Sequence, residues 1–237
     1  MCETDVYLQQ NGETVKVLEN VLKAETTGDG VTLYSLFEPA RTVRAIIRGY
    51  DSHSHTLTLG SMPASVVLSW IMKRRSIRHY TDVPITDEQV HFLLQAAMAA
   101  PSANDIRPWA FIVVRDAARR KALAELHRWS VMCAEAPLVV AVLGDPSASD
   151  HWVEDCSAAV ENLLLAVAGL DLGAVWVAVY PRTEREAQVR AALEIPENLR
   201  VLCLIPIGHP AEDKPPRTRY EESKVHYEHF GNLAEKT

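Results

Sequence analysis

No stretch of the chain approaches the run of about eighteen apolar residues that a membrane-crossing helix needs, so no membrane partner is expected. The first residues, MCETDVYLQQ, lack the basic start and apolar centre of a secretory signal, and a cytoplasmic location is the expectation. Cysteine is sparse. Cys2, Cys133, Cys156 and Cys203 form no CxxC pair and no framework spacing, which fits reduced thiols. Cys156 and Cys203 fall in apolar helix and strand patterns, where a thiol fills space. Positive charge is also short: a net charge of -7 and a pI near 5.7 argue against nucleic acid or an anionic membrane surface as the main partner. There is no GxGxxG turn, no Walker loop, no HExxH helix and no nucleophile elbow. Hydride or electron transfer by this chain therefore needs a bound carrier.

What is present is 237 residues, 48% of them hydrophobic, enough for one large domain or a medium one with a small companion. The second arrangement is expected, with domains at 1–61 and 62–237. Residues 5–9, 15–18, 31–37, 43–48 and 56–59 are short β-prone runs separated by Asn11-Gly12, Gly28-Asp29-Gly30, Glu38-Pro39 and the polar 51–55 stretch. They predict a small five-stranded barrel or sandwich, marginal alone and in need of docking or dimerisation. After the linker Gly60-Ser61-Met62-Pro63, a helix starts at Ala64 with Val67, Leu68, Ile71 and Met72 inward. Helices are expected over 85–100, 117–129, 152–170 and 183–193, and strands over 110–114, 138–144, 174–179 and 201–208. Capping boxes are read at Thr86/Gln89 and Thr183/Glu186, and Val90, Leu93, Leu94, Ala97 and Met98 are expected to face a core. From His209 onward the chain reads as an extended arm.

Two segments of the second domain carry chemistry. Arg74, Arg75, Ser76 and Arg78 lie within five residues. On a helix end, Arg74 and Arg78 are one turn apart, a like-charged pair that costs about 0.2–0.5 kcal/mol. An anion reverses that sign, because guanidinium forks grip phosphate at two points and a hydroxyl between them adds a donor. A solvated basic helix end is the alternative. The other segment is Pro101-Ser102-Ala103-Asn104-Asp105-Ile106-Arg107-Pro108-Trp109, a polar loop between a buried helix and a buried strand, where binding groups tend to sit. Separately, loss of the initiator methionine would leave an α-amine and a thiol on Cys2, a chelate suited to a late transition metal. An ordinary exposed thiol is the alternative there, and His53 and His55 read as polar loop composition.

RRSIR and PSANDIRPW in this order, followed by GAVWVAVYPRTER, IPENLRVLCLIPIGHPAEDKPPR and RYEESKVHYE, make residues 65–230 resemble the nitroreductase family of flavin enzymes. The resemblance implies an α+β fold, a mixed sheet wrapped by helices, in a homodimer with one FMN at each subunit interface. It puts FMN on Arg74, Arg75, Ser76 and Arg78, on the loop residues Pro101, Ser102, Ala103, Asp105 and Arg107, and on Arg217 and Arg219 of the arm. Arg78 is the implied cation at the flavin's N1/O2 edge, with Arg74 and Ser76 nearer the phosphate or ribityl chain. NAD(P)H is the implied electron donor and a small nitro or quinone-like molecule the acceptor, in a ping-pong cycle without a dedicated catalytic side chain. Asp105 replaces the family's loop asparagine, Arg107 its glutamine, and Ala178 a glycine common among relatives. A carboxylate accepts from flavin N3–H but cannot donate to a carbonyl.

Met1-Cys2-Glu3, VYL, GDGVTLYSLF and the closing TLTL resemble the CooT family of small nickel-binding proteins, which implies Ni(II) on Cys2. Three functions stay open at this point. One is an FMN-dependent NAD(P)H oxidoreductase, another a nickel store or chaperone using the flavin fold as a dimer scaffold. The remaining one is a flavin enzyme of the same fold with dehalogenating or flavin-fragmenting chemistry.

Overall fold

The computed structural model describes residues 4–10, 13–27, 30–35, 38–43, 45–60, 64–216 and 219–233. It forms two compact units, one up to Leu68 and one from Ser69 onward.

The first unit is a sheet of β1 (Thr4–Gln10), β2 (Glu13–Thr27), β3 (Gly30–Ser35), β4 (Arg41–Val43), β5 (Ile46–Asp51) and β6 (Thr56–Gly60), ordered β4-β3-β2-β1-β6-β5. β1 runs parallel to β6, and the other neighbours are antiparallel. Six strands stand where five were expected. The run 43–48 is split in two around Ala45, which is only 3% exposed and belongs to the core with Val6, Leu18, Val21, Val31, Leu33, Leu57 and Leu59. β2 also outruns its apolar signal: polar Glu19 and Asn20 do not end it, because Asn20 takes a left-handed φ of 54° and a register shift at Val21/Lys23 absorbs the irregularity.

The second unit contains α1 (Ala64–Lys73, which crosses the division), α2 (Asp87–Met98), β7 (Trp109–Val114), α3 (Ala117–Ala124), α4 (Met132–Glu135) and β8 (Leu138–Gly144). Then come α5 (Trp152–Gly169), β9 (Gly173–Ala174), β10 (Val177–Ala178), α6 (Thr183–Leu193) and β11 (Arg200–Gly208). The sheet order is β10-β11-β8-β7, with β9 also on β11; these pairs are antiparallel, and a parallel bridge joins Ser76 to Ala174. β8 is buried throughout. Leu138, Val140 and Val142 face a core shared with α2 and α5, while Val139, Ala141 and Leu143 face one shared with α3, α4 and α6. The fold is α+β, with helices over both faces of the sheet. Burying one such leucine or valine contributes about 1.5–3 kcal/mol, so this double core fixes the frame from which the loops project.

Four local expectations change. The helix expected over 117–129 ends at Ala124, because the buried Ser130 hydroxyl donates to Ala124 O and accepts from His127 N–H, making a turn of the remainder. The strand expected over 174–179 is two short pieces, both on β11, interrupted at Val175-Trp176. The Thr86/Gln89 capping box forms, but the Thr183/Glu186 box does not. Glu186 is buried and accepts instead from Arg200 at 2.7 and 2.8 Å and from Val201 N–H at 3.0 Å. Finally, Leu68, Ile71 and Met98, expected inward, are each about half exposed, at 50%, 47% and 51%.

Candidate functional site

The basic segment begins as helix and ends as strand. Arg74 N–H still donates to Trp70 O at 3.0 Å, closing the last turn of α1. Ile77 N–H then donates to Ala174 O at 2.9 Å, and Ser76 bridges Ala174. Extended backbone alternates its side chains, so Ile77 is buried while Ser76 and Arg78 share the opposite face. Gly173 makes room for this: a Cβ there would lie 2.7 Å from the Ile77 side chain. The arm beyond β11 runs alongside. Thr81 N–H donates to His209 O and Ala211 N–H to His79 O, each at 2.9 Å. Glu212 Oε1 accepts from Arg78 N–H at 2.6 Å and from Lys214 Nζ at 2.8 Å, and the same Nζ donates to Ser76 O at 2.7 Å. Arg75 donates to Pro215 O. Burial pushes the Glu212 carboxyl up, but the bonds from Lys214 and from Arg78 N–H outweigh it and hold it below the ordinary glutamate range.

These contacts wall a cleft of about 570 Å³, with Arg74, Arg75 and Lys214 at its charged side and Leu164, Val167 and Leu172 in its floor. Lys73 pairs with Asp171, Arg74 with Glu161 at 3.5 Å, and Lys214 with Glu212. Among the described residues, Arg75 and Arg78 carry no ion pair, and the Ser76 hydroxyl has no hydrogen-bond partner. The Arg75 and Arg78 guanidinium groups and the Ser76 hydroxyl are thus left without an anionic partner, Arg75 at the cleft and the other two on the opposite face of the segment. The donor set fits a phosphate monoester.

The loop after α2 is built differently. Asn104, Asp105 and Arg107 take left-handed φ values of 50°, 56° and 54°. Ser102 Oγ accepts from Arg107 N–H at 2.9 Å, and Ser102 O accepts from Asp105 N–H at 3.1 Å. Buried Asp155 of α5 accepts from Ala103 N–H at 2.8 Å and from the Ser149 hydroxyl at 3.0 Å. The side chains of Asp105 and Arg107 pair with each other at 2.8 Å. Both are exposed, and such a pair contributes about 0–1 kcal/mol. Pro101 is exposed beside them.

α5 holds both segments, through Glu161 to Arg74 and through Asp155 to Ala103, about 9 Å apart along its axis. Neither Ser76, Arg78 nor any of residues 101–108 lines this cleft. Arg219 is exposed, while Arg217 and Cys2 lie outside the described residues. Ala178 is exposed without a left-handed φ, and its carbonyl accepts from Arg185 at 3.3 Å. Sequence reasoning missed Asp155, Glu212 and Lys214. Asp155 had a signal, being an acid on the apolar stripe of Trp152, Cys156 and Ala159.

Residues 71–145 and 125–209 match the sequence profile of the Nitroreductase family. The chain belongs to the nitroreductase family. An Archaeoglobus fulgidus protein provisionally described as NADH dehydrogenase/NAD(P)H nitroreductase is 43% identical over 168 residues, covering 68% of this chain and 97% of the relative. A solved structure of the same description from Parabacteroides distasonis has a TM-score of 0.68 at 39% identity, covering 70% of this chain and 99% of that one. A provisionally described nitroreductase of Desulfovibrio desulfuricans, solved in complex with FMN, has a TM-score of 0.59 at 33% identity, covering 69% and 96%. Residues 1–59 match the profile of the CO dehydrogenase accessory protein CooT. Among the described residues, no group of three or more His, Cys, Asp and Glu could hold a metal ion, and no helix is long and apolar enough to cross a membrane.

Proposed function

We propose that residues 62–237 form an FMN-dependent NAD(P)H oxidoreductase that reduces a small nitro or quinone-like acceptor, and that residues 1–61 form a second domain. The observation that carries this reading is the Ser76 hydroxyl and the Arg75 and Arg78 guanidinium groups, left without anionic partners on a backbone that the arm holds in place. Arg74, Arg75, Ser76, Arg217 and Arg219 would hold the phosphate and ribityl end, Arg78 the N1/O2 edge of the ring, and Pro101, Ser102, Ala103, Asp105 and Arg107 the rest of the ring edge. FMN, when bound, supplies hydride acceptance and donation between nicotinamide and acceptor. The chain's own residues bind, orient and set the local charge.

Two features of the same unit support a homodimer. The loop stays outside the cleft of its own chain, and Trp70, Ile71, Phe92, Met98 and Ile106 are exposed on α1, α2 and the loop. A second copy would cover these side chains and supply the loop to the first copy's basic segment. For the first domain, the CooT match supports nickel binding; Ni(II) on Cys2 would be shared between two subunits, because two thiolates and two adjacent nitrogens suit its square-planar preference.

The visible spectrum of the purified protein, before and after addition of FMN, tests the flavin reading. A flavin absorption band that persists through gel filtration, at one FMN per chain, is expected. A protein that is colourless and does not retain added FMN would overturn it and leave the nickel-binding reading with the flavin fold as scaffold.

A further inference from the structure

Glu212 and Lys214 sit on the backbone of the basic segment rather than in its side-chain cluster. The Glu212 carboxylate accepts the Arg78 N–H at 2.6 Å, and Lys214 Nζ donates to Ser76 O at 2.7 Å. The two side chains are bonded to each other at 2.8 Å, so one ion pair holds a peptide group on either side of Ile77. Both side chains are largely buried, at 22% and 26% exposure, where such a pair is screened less than at the surface. Backbone bonds of the arm to His79 and Thr81 stop short of this point, and Arg75 meets the arm again at Pro215. Between those anchors, the Glu212–Lys214 pair sets where Ser76 and Arg78 present their donors.

We propose that Glu212 and Lys214 are positioning residues for the phosphate end of the flavin. They fix the Ser76–Arg78 backbone so that the Ser76 hydroxyl meets a phosphate dianion and the Arg78 guanidinium meets the flavin. Lys214 carries a charge that Glu212 cancels, so the pair adds orientation and little net field. This rests on the reading of the basic segment as the phosphate grip.

The test compares two ligands that differ only in that phosphate. Apoprotein of the full chain is titrated with FMN and with riboflavin, following quenching of flavin fluorescence, and melting temperatures are recorded alongside. Glu212→Ala and Lys214→Met are each expected to lower FMN affinity about tenfold while leaving riboflavin affinity within about twofold, as lost phosphate hydrogen bonding would. Glu212→Gln, which keeps an acceptor for Arg78 N–H, is expected to recover part of the loss. Equal weakening toward both ligands would mean general structural damage, and unchanged FMN affinity would mean no role; either overturns the proposal. If Glu212→Ala does not fold, Lys214→Met and Glu212→Gln decide it by the same ratio. Ser76→Ala separates the underlying reading from this one. If it leaves the FMN-to-riboflavin ratio unchanged, the grip itself is misassigned; if it lowers the ratio while the Glu212 and Lys214 variants do not, the grip stands and the positioning role falls.

Discussion

The basic segment 74–78 and the loop 101–107 meet the same helix and are held in opposite ways. The segment has its backbone bonded from outside, by Ala174, Glu212 and Lys214, and keeps two guanidinium groups free of ion pairs and a hydroxyl unbonded among the described residues. The loop uses its own side chains on itself: Ser102 bonds Arg107 N–H, and Asp105 pairs with Arg107, with Asp155 its anchor to α5. An externally fixed backbone leaves side chains for a charged ligand. A self-satisfied loop offers shape and peptide groups, with little net charge, which suits the flat edge of a heterocycle.

The contrast can be broken most severely at Asp155. Asp155→Ala orphans Ala103 N–H in a buried setting, and a loss of about 2–3 kcal/mol of stability is expected, measurable by urea unfolding. Side chains of the basic segment should behave in the reverse sense. Arg78→Ala is expected to change stability by less than about 0.5 kcal/mol, since the side chain is exposed, yet to lower FMN affinity about tenfold or more. An Arg78→Ala protein that retains FMN like the parent would place the flavin elsewhere.

Acidification sharpens the comparison further. Glu212 is held below its ordinary value of 4.5, so its contribution is complete above that pH and is lost as pH falls through the lowered folded value. The melting-temperature advantage of the parent over Glu212→Gln should therefore be constant above pH 4.5 and shrink only below it. A difference that does not depend on pH there would mean that the carboxylate charge is irrelevant. The smallest effect is expected at Asp105→Asn, with stability changed by no more than about 1 kcal/mol and the bound flavin easier to reduce. Removing the acid also frees the charge of Arg107, and both changes favour electron uptake. A redox titration showing an unchanged or lower midpoint potential would mean that Asp105 does not face the ring.

Features set by neighbours in sequence were legible, and features set across the fold were not. The Thr86/Gln89 box is read correctly because both partners lie on one turn. The Thr183/Glu186 pair has the same spacing, but Glu186 shares a buried stripe with Val189 and Leu193, where Arg200 claims it. The arginines of the basic segment were visible; their extended conformation was not, since Ala174 and the arm impose it from about 100 and 134 residues away. Likewise Ile71 and Met98 follow a helical apolar period, yet both remain about half exposed.

The central claim is that the segment 74–78 is built around a phosphate. The most direct test is titration of the unmodified apoprotein with FMN and riboflavin under identical conditions. The account predicts that FMN binds more tightly by at least about a hundredfold, as several charge-assisted hydrogen bonds to phosphate require. Equal affinity for the two ligands would contradict it.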